Sequence, residues 1–109
     1  MQIPQQGKLL RIFIGEADQF EGRPLYQAIV ELARREHMAG ATAVKGFMGF
    51  GRKSHMHTTK LLRLSQDLPI IIEIVDSSEK VKKFISKLDG MIAEGLVTLE
   101  DSEVLIYRA

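Results

Sequence analysis

The fold is decided by the stretch LPIIIEIVD, which runs from Leu68 to Asp76. Between Ile70 and Val75 every residue is apolar except Glu73, so both sides of an extended chain would be buried, as in a strand at the centre of a sheet. Residues 76–78 offer helix N-caps directly afterwards. A helix ending at Gly95 is then predicted by apolar residues at helical spacing, namely Val81, Phe84, Ile85, Leu88, Met91 and Ile92.

On the N-terminal side, residues 8–15 (KLLRIFIG) predict a first strand. Pro24 suits the first turn of a helix that ends near Gly40. The core side of that helix is predicted by Leu25, Ala28, Ile29, Leu32 and Ala33. A second, glycine-weakened strand is expected over Ala41–Phe50.

On the C-terminal side, Leu96–Leu99 and Val104–Tyr107 predict two short strands around an acidic turn. The resulting β-α-β-β-α-β order predicts an α+β, ferredoxin-like sandwich. It has an antiparallel sheet with two helices on one face, plus a short extra C-terminal strand. The chain of 109 residues is expected to form a single domain, 1–109.

Composition excludes several classes of function. The sequence has no cysteine, which rules out disulfides, thiol catalysis and thiolate metal sites. A net charge of +1 argues against nucleic-acid binding driven by bulk charge. No apolar stretch approaches the ~20 residues needed to cross a bilayer, and the first residues are polar. We therefore expect a soluble cytoplasmic protein without membrane insertion.

Positive charge is concentrated in one segment. From His37 to Gln66, thirty consecutive residues include no Asp or Glu, but they include four of the nine glycines. Within this window, Lys45-Gly46-Phe47-Met48-Gly49-Phe50-Gly51-Arg52-Lys53 combines three glycines with flanking cations. Exposed backbone N–H groups beside fixed positive charge suit an anion such as phosphate. A solvated hairpin whose lysines keep a sheet edge soluble explains the same residues.

Other chemistries have weaker support in the sequence. Lys45-Gly46-Phe47 resembles the start of the RNP1 motif of single-stranded RNA binders, but Phe47 and Phe50 are three residues apart and would point to opposite strand faces. His55 and His57 lack a third metal ligand nearby. No nucleophile stands beside a base, so we predict neither catalysis nor a metal site. Glu73 is expected to be paired or at an interface.

The same glycine segment resembles a known family. Val44-Lys45-Gly46-Phe47 followed by Gly49-Phe50-Gly51-Arg52-Lys53 is similar to the V-K-G-F-G-R stretch of PII (GlnB-like) signalling proteins. From about Lys8 to Arg108 the chain most strongly resembles the small, uncharacterised family of PII-like proteins. The hallmarks of this resemblance are GEADQFEGRP at 15–24, Ala39-Gly40-Ala41-Thr42, Gly49-Phe50-Gly51, His57-Thr58 and the stretch from Leu68 to Asp76.

The resemblance implies a homotrimer with an adenine nucleotide, ADP or ATP, in the cleft between subunits. The nucleotide would control a loop that contacts a protein partner such as a membrane transporter or an enzyme. By position, the resemblance assigns nucleotide binding to Gly46, Phe47, Gly49, Phe50, Gly51, Arg52, Lys53 and the C-terminal Arg108. A single-stranded RNA-binding module and a structural trimer without ligand remain the alternatives.

Three features depart from the PII pattern. Met48 is an extra residue within the motif, and Gly95-Leu96-Val97-Thr98 replaces the G-D-G-K phosphate loop. The effector loop has only about fifteen residues and lacks the tyrosine that PII proteins modify. If phosphates bind, Arg52, Lys53 or Lys8 must replace the missing loop.

Overall fold

The computed structural model of the protein describes residues 6–51, 57–58 and 67–108. The effector-loop residues Arg52, Lys53 and His55 lie outside the described residues. The elements, in chain order, are β1 Gln6–Gly15, β2 Gln19–Phe20, β3 Arg23–Pro24, α1 Leu25–Arg35, β4 Thr42–Lys45, β5 Met48–Gly49, β6 His57–Thr58, β7 Pro69–Asp76, α2 Ser78–Leu88 and β8 Leu96–Glu103.

Four strands form one antiparallel sheet in the order β4-β7-β1-β8, with β7 and β1 at the centre. This order, with two helices on one face, is the ferredoxin-like arrangement, so the predicted fold class is confirmed. The pairs β2–β3 and β5–β6 form two separate small ladders. The central position expected for the isoleucine-rich strand is also confirmed.

The core lies between the helices and one face of the sheet, which we call the inner face. Alternate residues of β1 and β7 point into it because successive side chains of a strand alternate between faces. The inner-face residues of the two central strands, all at most 6% exposed, are Leu10, Ile12, Ile14, Ile70, Ile72 and Ile74. Leu25, Ile29, Val81 and Phe84 cover them from the helices.

Both helices end earlier than the positions predicted from Gly40 and Gly95. α1 ends at Arg35, and His37 takes the left-handed conformation (φ 58°) expected of Gly40. The N–H of His37 donates to Arg34 O, and that of Met38 donates to Ala33 O, the two bonds of a Schellman ending. α2 begins as predicted, with Ser77 accepting from the Lys80 N–H, but ends at Leu88 rather than at Gly95.

The prediction of two short C-terminal strands was wrong. β8 is one continuous strand through the acidic residues, and Val104–Arg108 form no strand. The carboxylates of Asp101 and Glu100 pair with Lys8 and Arg11 of β1, so the strand continues where the charges alone indicated a turn.

The strand predicted over Ala41–Phe50 is also interrupted. It divides into β4 and β5, with Gly46 and Phe47 between them. In the described part of the chain, no helix has the length and hydrophobicity to span a membrane.

Candidate functional site

The face of the sheet opposite the helices, here the outer face, carries side chains in three rows. Strand register places one apolar row across all four strands, formed by Val44, Ile71, Phe13 and Leu96. The next row is polar and consists of Thr42, Glu73, Arg11 and Thr98. The third row comprises Val75, Leu9 and Glu100.

Arg11 is the centre of the polar row. Its Nε donates to Glu73 Oε2 at 2.8 Å, and its Nη1 pairs with Glu100 Oε1. The Glu73 hydrogen bond is the main cause that raises the pKa of Arg11, with the charge of Glu100 adding to it and desolvation opposing it. Glu73 is therefore paired, as the sequence predicted.

An open groove of about 530 Å³ lies at the end of the outer face where the third row stands. Its floor is formed by side chains of β1 and β7, and its walls by the connection before β4 and by the segment after β8. The lining residues are Leu9, Ala39, Gly40, Ala41, Thr42, Glu73, Val75, Ser102, Glu103, Val104, Leu105, Ile106 and Tyr107. This set combines apolar surface, three hydroxyl groups and two carboxylates, and it includes no Lys or Arg.

The wall before β4 is fixed by a buried carboxylate. Asp76, 0% exposed, accepts hydrogen bonds from the N–H groups of Ala39 at 2.9 Å and Ser77 at 2.7 Å. Lys80 Nζ lies 3.7 Å from Asp76 Oδ2 and also donates to His37 O. Since a buried carboxylate costs free energy unless it is hydrogen-bonded, these contacts hold residues 37–39 in one place.

The opposite wall is held differently. Tyr107 Oη donates to Ala39 O at 3.0 Å, so the segment Val104–Tyr107 reaches across to the first wall. Leu105 and Ile106, however, are 80% and 67% exposed. This wall therefore buries little apolar surface of its own.

The predicted glycine motif lies at the other end of β4. The sequence predicted that the Gly46 N–H would hold a phosphate. In the structure it donates instead to Pro69 O at 2.7 Å, so this donor is used within the sheet. A Cβ on Gly46 or Gly49 would stand 2.8 or 3.1 Å from Pro69 Cγ. These glycines let the chain wrap around Pro69, whereas Gly51 has open space around it.

The other predicted site residues are only partly brought together. Phe47 and Phe50 are 70% and 65% exposed beside β5. Arg108 follows Tyr107, whose hydroxyl contacts Ala39 before the start of β4. Gly46 lies beyond the other end of that strand, which spans about 13 Å from Thr42 to Gly46 at ~3.3 Å per residue. Within one chain, Arg108 is therefore separated from the glycine motif. Lys8 pairs with Asp101 in an inner-face row, away from the groove.

Acidic residues near the glycine motif are explained by local structure. Lys45 Nζ lies 2.9 Å from Glu16 Oε2, and Asp18 accepts from the Gly15 N–H at 2.9 Å. Asp67 accepts from the Ala17 N–H at 2.8 Å. Glu16 and Asp18 are thus engaged in contacts within this turn region. Among the described residues, no group of three potential metal ligands was found.

Sequence reasoning from composition and spacing missed the groove, because its floor and walls come from four distant segments. The signal was present in the family resemblance. Two of its hallmark stretches, Ala39-Gly40-Ala41-Thr42 and the strand from Leu68 to Asp76, line the groove or fix its wall.

Comparison with protein families and known proteins identifies relatives of the chain. Residues 7–104 match the family DUF190, described as Uncharacterized ACR, COG1993. A UPF0166 protein of Aquifex aeolicus (strain VF5) is 41% identical over 98 residues, which cover 90% of this chain and 92% of the relative.

Solved structures show the same fold. CPII, a nitrogen regulatory PII-like protein from Thiomonas intermedia K12 in complex with ADP, AMP and bicarbonate, superimposes with a TM-score of 0.69 at 22% identity, over 91% of this chain and 88% of CPII. A putative PII-like signaling protein (TTHA0516) from Thermus thermophilus gives a TM-score of 0.63 at 17% identity, over 92% and 89% of the two chains.

Proposed function

The chain belongs to the DUF190 family and has the PII-like fold, and on this premise we propose that it is a nucleotide-binding regulatory protein. The observation that carries the proposal is the groove on the outer face. It offers apolar surface and hydroxyl groups to a nucleoside, and its mouth opens next to the strand that leads into the glycine motif. CPII, which shares the fold, was crystallised with ADP and AMP.

The charges around the groove determine the orientation that we propose for the ligand. Glu73 and Glu103 make the groove unfavourable for phosphates, while Leu9 and Val75 suit a base. The phosphates then extend along β4 toward the Gly49–Gly51 backbone, after which the sequence continues with the cations Arg52 and Lys53. The ligand is an adenine nucleotide, ADP or ATP, and it requires no resident metal.

The outer face supports assembly into a homotrimer. Val44 and Leu96 of the apolar row are 48% and 57% exposed in the single chain, and the helices cover only the opposite face. A second copy placed over this face buries the row and brings its own residues to the groove. Arg108, which one chain keeps away from its own glycine motif, then contacts the phosphates of a neighbouring site.

The proposed role is sensing rather than catalysis. Nucleotide bound beside β4 orders residues 52–60 of the sequence, and a partner protein, a transporter or an enzyme, distinguishes the states of this segment. The ligand shifts that equilibrium only by as much as its affinity differs between the two states.

Calorimetric titration with AMP, ADP and ATP tests the proposal. The informative variant is Thr42→Tyr, which fills the groove from an exposed position on β4. Thr98→Tyr is its matched control, since Thr98 occupies the same polar row on β8 but does not line the groove. We expect binding by the unaltered protein, at least tenfold weaker binding by Thr42→Tyr, and near-normal binding by Thr98→Tyr.

Other outcomes separate the alternatives. Equal losses in both variants would indicate an effect on assembly, which light scattering of each variant would detect. No heat with any adenine nucleotide would overturn the proposal. A salt-sensitive gel shift of single-stranded RNA in its place would then favour the RNA-binding alternative.

A further inference from the structure

The two walls of the groove differ in how they are held, and this difference has a regulatory consequence. We propose that Val104–Tyr107 is a latch that closes over bound nucleotide, with Tyr107 as its fastening residue. The inference rests on the proposed function and adds to it a means by which the same site controls ligand retention. We call these four residues the latch throughout.

Within the part of the chain that the structure describes, one side-chain hydrogen bond joins the latch to the opposite wall. Tyr107 Oη to Ala39 O, at 3.0 Å, is the hydrogen bond that joins it to the opposite wall. Within one chain, Leu105 and Ile106 add little apolar contact to this hydrogen bond, because they are 80% and 67% exposed, and Tyr107 itself is 45% exposed. A single partly exposed hydrogen bond changes an equilibrium by about two- to tenfold, so the closed state is easily opened.

The receiving wall, by contrast, is rigid. The Ala39 N–H is bound to the fully buried Asp76, and the preceding His37 carbonyl accepts from Lys80. The backbone leading to the Ala39 acceptor is thus fixed to β7 and α2. Motion between the walls therefore falls on the latch, which gives the groove two states that differ in one contact.

Space for a ligand exists in the closed state. The groove of about 530 Å³ is present while Tyr107 contacts Ala39, and the latch supplies part of its lining. A ligand that contacts both walls binds the closed state more tightly, so binding and closure stabilise each other. Apparent affinity then falls in proportion to any loss of the closed fraction.

The test compares the two tyrosines of the chain. Tyr107→Phe removes the fastening hydroxyl and keeps the ring, whereas Tyr26→Phe removes a hydroxyl from α1, outside the groove lining. We expect Tyr107→Phe to bind AMP or ADP about two- to tenfold more weakly, mainly through faster dissociation. Tyr26→Phe should bind normally.

The control variant also provides a spectroscopic readout. The sequence has no tryptophan, so Tyr107 is the only tyrosine fluorophore once Tyr26 is Phe. We expect nucleotide to raise the fluorescence anisotropy of Tyr107 as the latch closes. A merely structural role for Tyr107 would leave the anisotropy unchanged.

The outcomes separate the two proposals. If the unaltered protein binds nucleotide and Tyr107→Phe binds equally well or more tightly, the latch is overturned and the proposed function stands. If the unaltered protein binds no adenine nucleotide, the proposed function fails and the latch fails with it. Light scattering of Tyr107→Phe checks that assembly is unchanged.

Discussion

The two faces of the sheet are built from the same strands but have different roles. On the inner face, Ile70, Ile72 and Ile74 are at most 4% exposed beneath the helices. On the outer face, which the helices leave uncovered, Ile71 belongs to the apolar row, Glu73 forms an ion pair with Arg11, and Val75 lines the groove. Alternate residues of one strand thus contribute either to the folded core or to the face on which we propose that ligand and partner subunits are recognised.

The largest effect is expected from truncating neighbouring isoleucines of β7. Ile72→Ala removes a side chain that is 0% exposed and should lower the free energy of unfolding by about 2–5 kcal/mol. Ile71→Ala, one residue earlier, removes part of the outer apolar row. It should cost less than about 1 kcal/mol in the isolated chain but weaken self-association. Urea denaturation and light scattering measure the two quantities.

A comparable loss of chain stability from Ile71→Ala, without any change in molar mass, would contradict this assignment. Both proteins must be compared at several concentrations, because unfolding of an oligomer depends on protein concentration. A lower molar mass of Ile71→Ala with little loss of chain stability would support the outer face as an association surface in solution, since Ile72 is buried beneath the helices and Ile71 lies on the face that they leave uncovered.

A smaller effect is expected at the glycine motif. Gly46→Ala places a Cβ 2.8 Å from the rigid ring of Pro69 and should cost about 1–3 kcal/mol. Gly51→Ala meets no atom within 4 Å and should be neutral or slightly stabilising. Thermal unfolding of the two variants tests whether Gly46 serves packing. Equal stability would mean that the wrapping around Pro69 is not needed for the fold.

Much of the fold could be predicted because the spacing of apolar residues along the sequence indicates which residues of a strand or helix face the core. The run from Ile70 to Val75 indicated the central strand, and Ser77 indicated the start of α2. The errors arose where long-range contacts override local signals. Ion pairs with Lys8 and Arg11 keep the acidic residues of β8 in an extended strand. The left-handed conformation of His37 ends α1 three residues before Gly40.

The site was less predictable for a geometric reason. Composition drew attention to the cations and glycines between His37 and Gln66, which are adjacent in sequence. The groove instead joins Leu9, Thr42, Val75 and Tyr107, which no local pattern connects. Gly46 and Gly49 proved to be shaped by Pro69, a neighbour across the sheet. Only a resemblance covering the whole chain contained the groove-lining stretches.

The smallest predicted effect concerns the stability of the fold in acid, and it arises from carboxylates on the side of the sheet that carries the helices. The Lys87 hydrogen bond lowers the pKa of Glu36, the Gln27 and Arg23 hydrogen bonds lower that of Glu31, and the Lys8 hydrogen bond lowers that of Asp101. Because these folded-state pKa values lie below the ordinary 4.5 for Glu and 3.8 for Asp, the unfolded chain binds more protons in acid. Their contribution is present above the ordinary values and is lost as pH falls through the folded ones.

Between about pH 5 and pH 3, we therefore expect the thermal midpoint of the unaltered protein to decline by a few degrees more than that of Lys87→Met. Lys82→Met is the matched control, since it removes the same charge from an exposed position of α2 without touching the Glu36 pair. If both variants lost the acid dependence equally, net charge rather than the pair would be responsible. If only Lys87→Met loses the acid dependence, acid destabilises the packing of the helices through Glu36. The outer-face groove contains none of the three carboxylates, so acid affects it only by destabilising the fold as a whole.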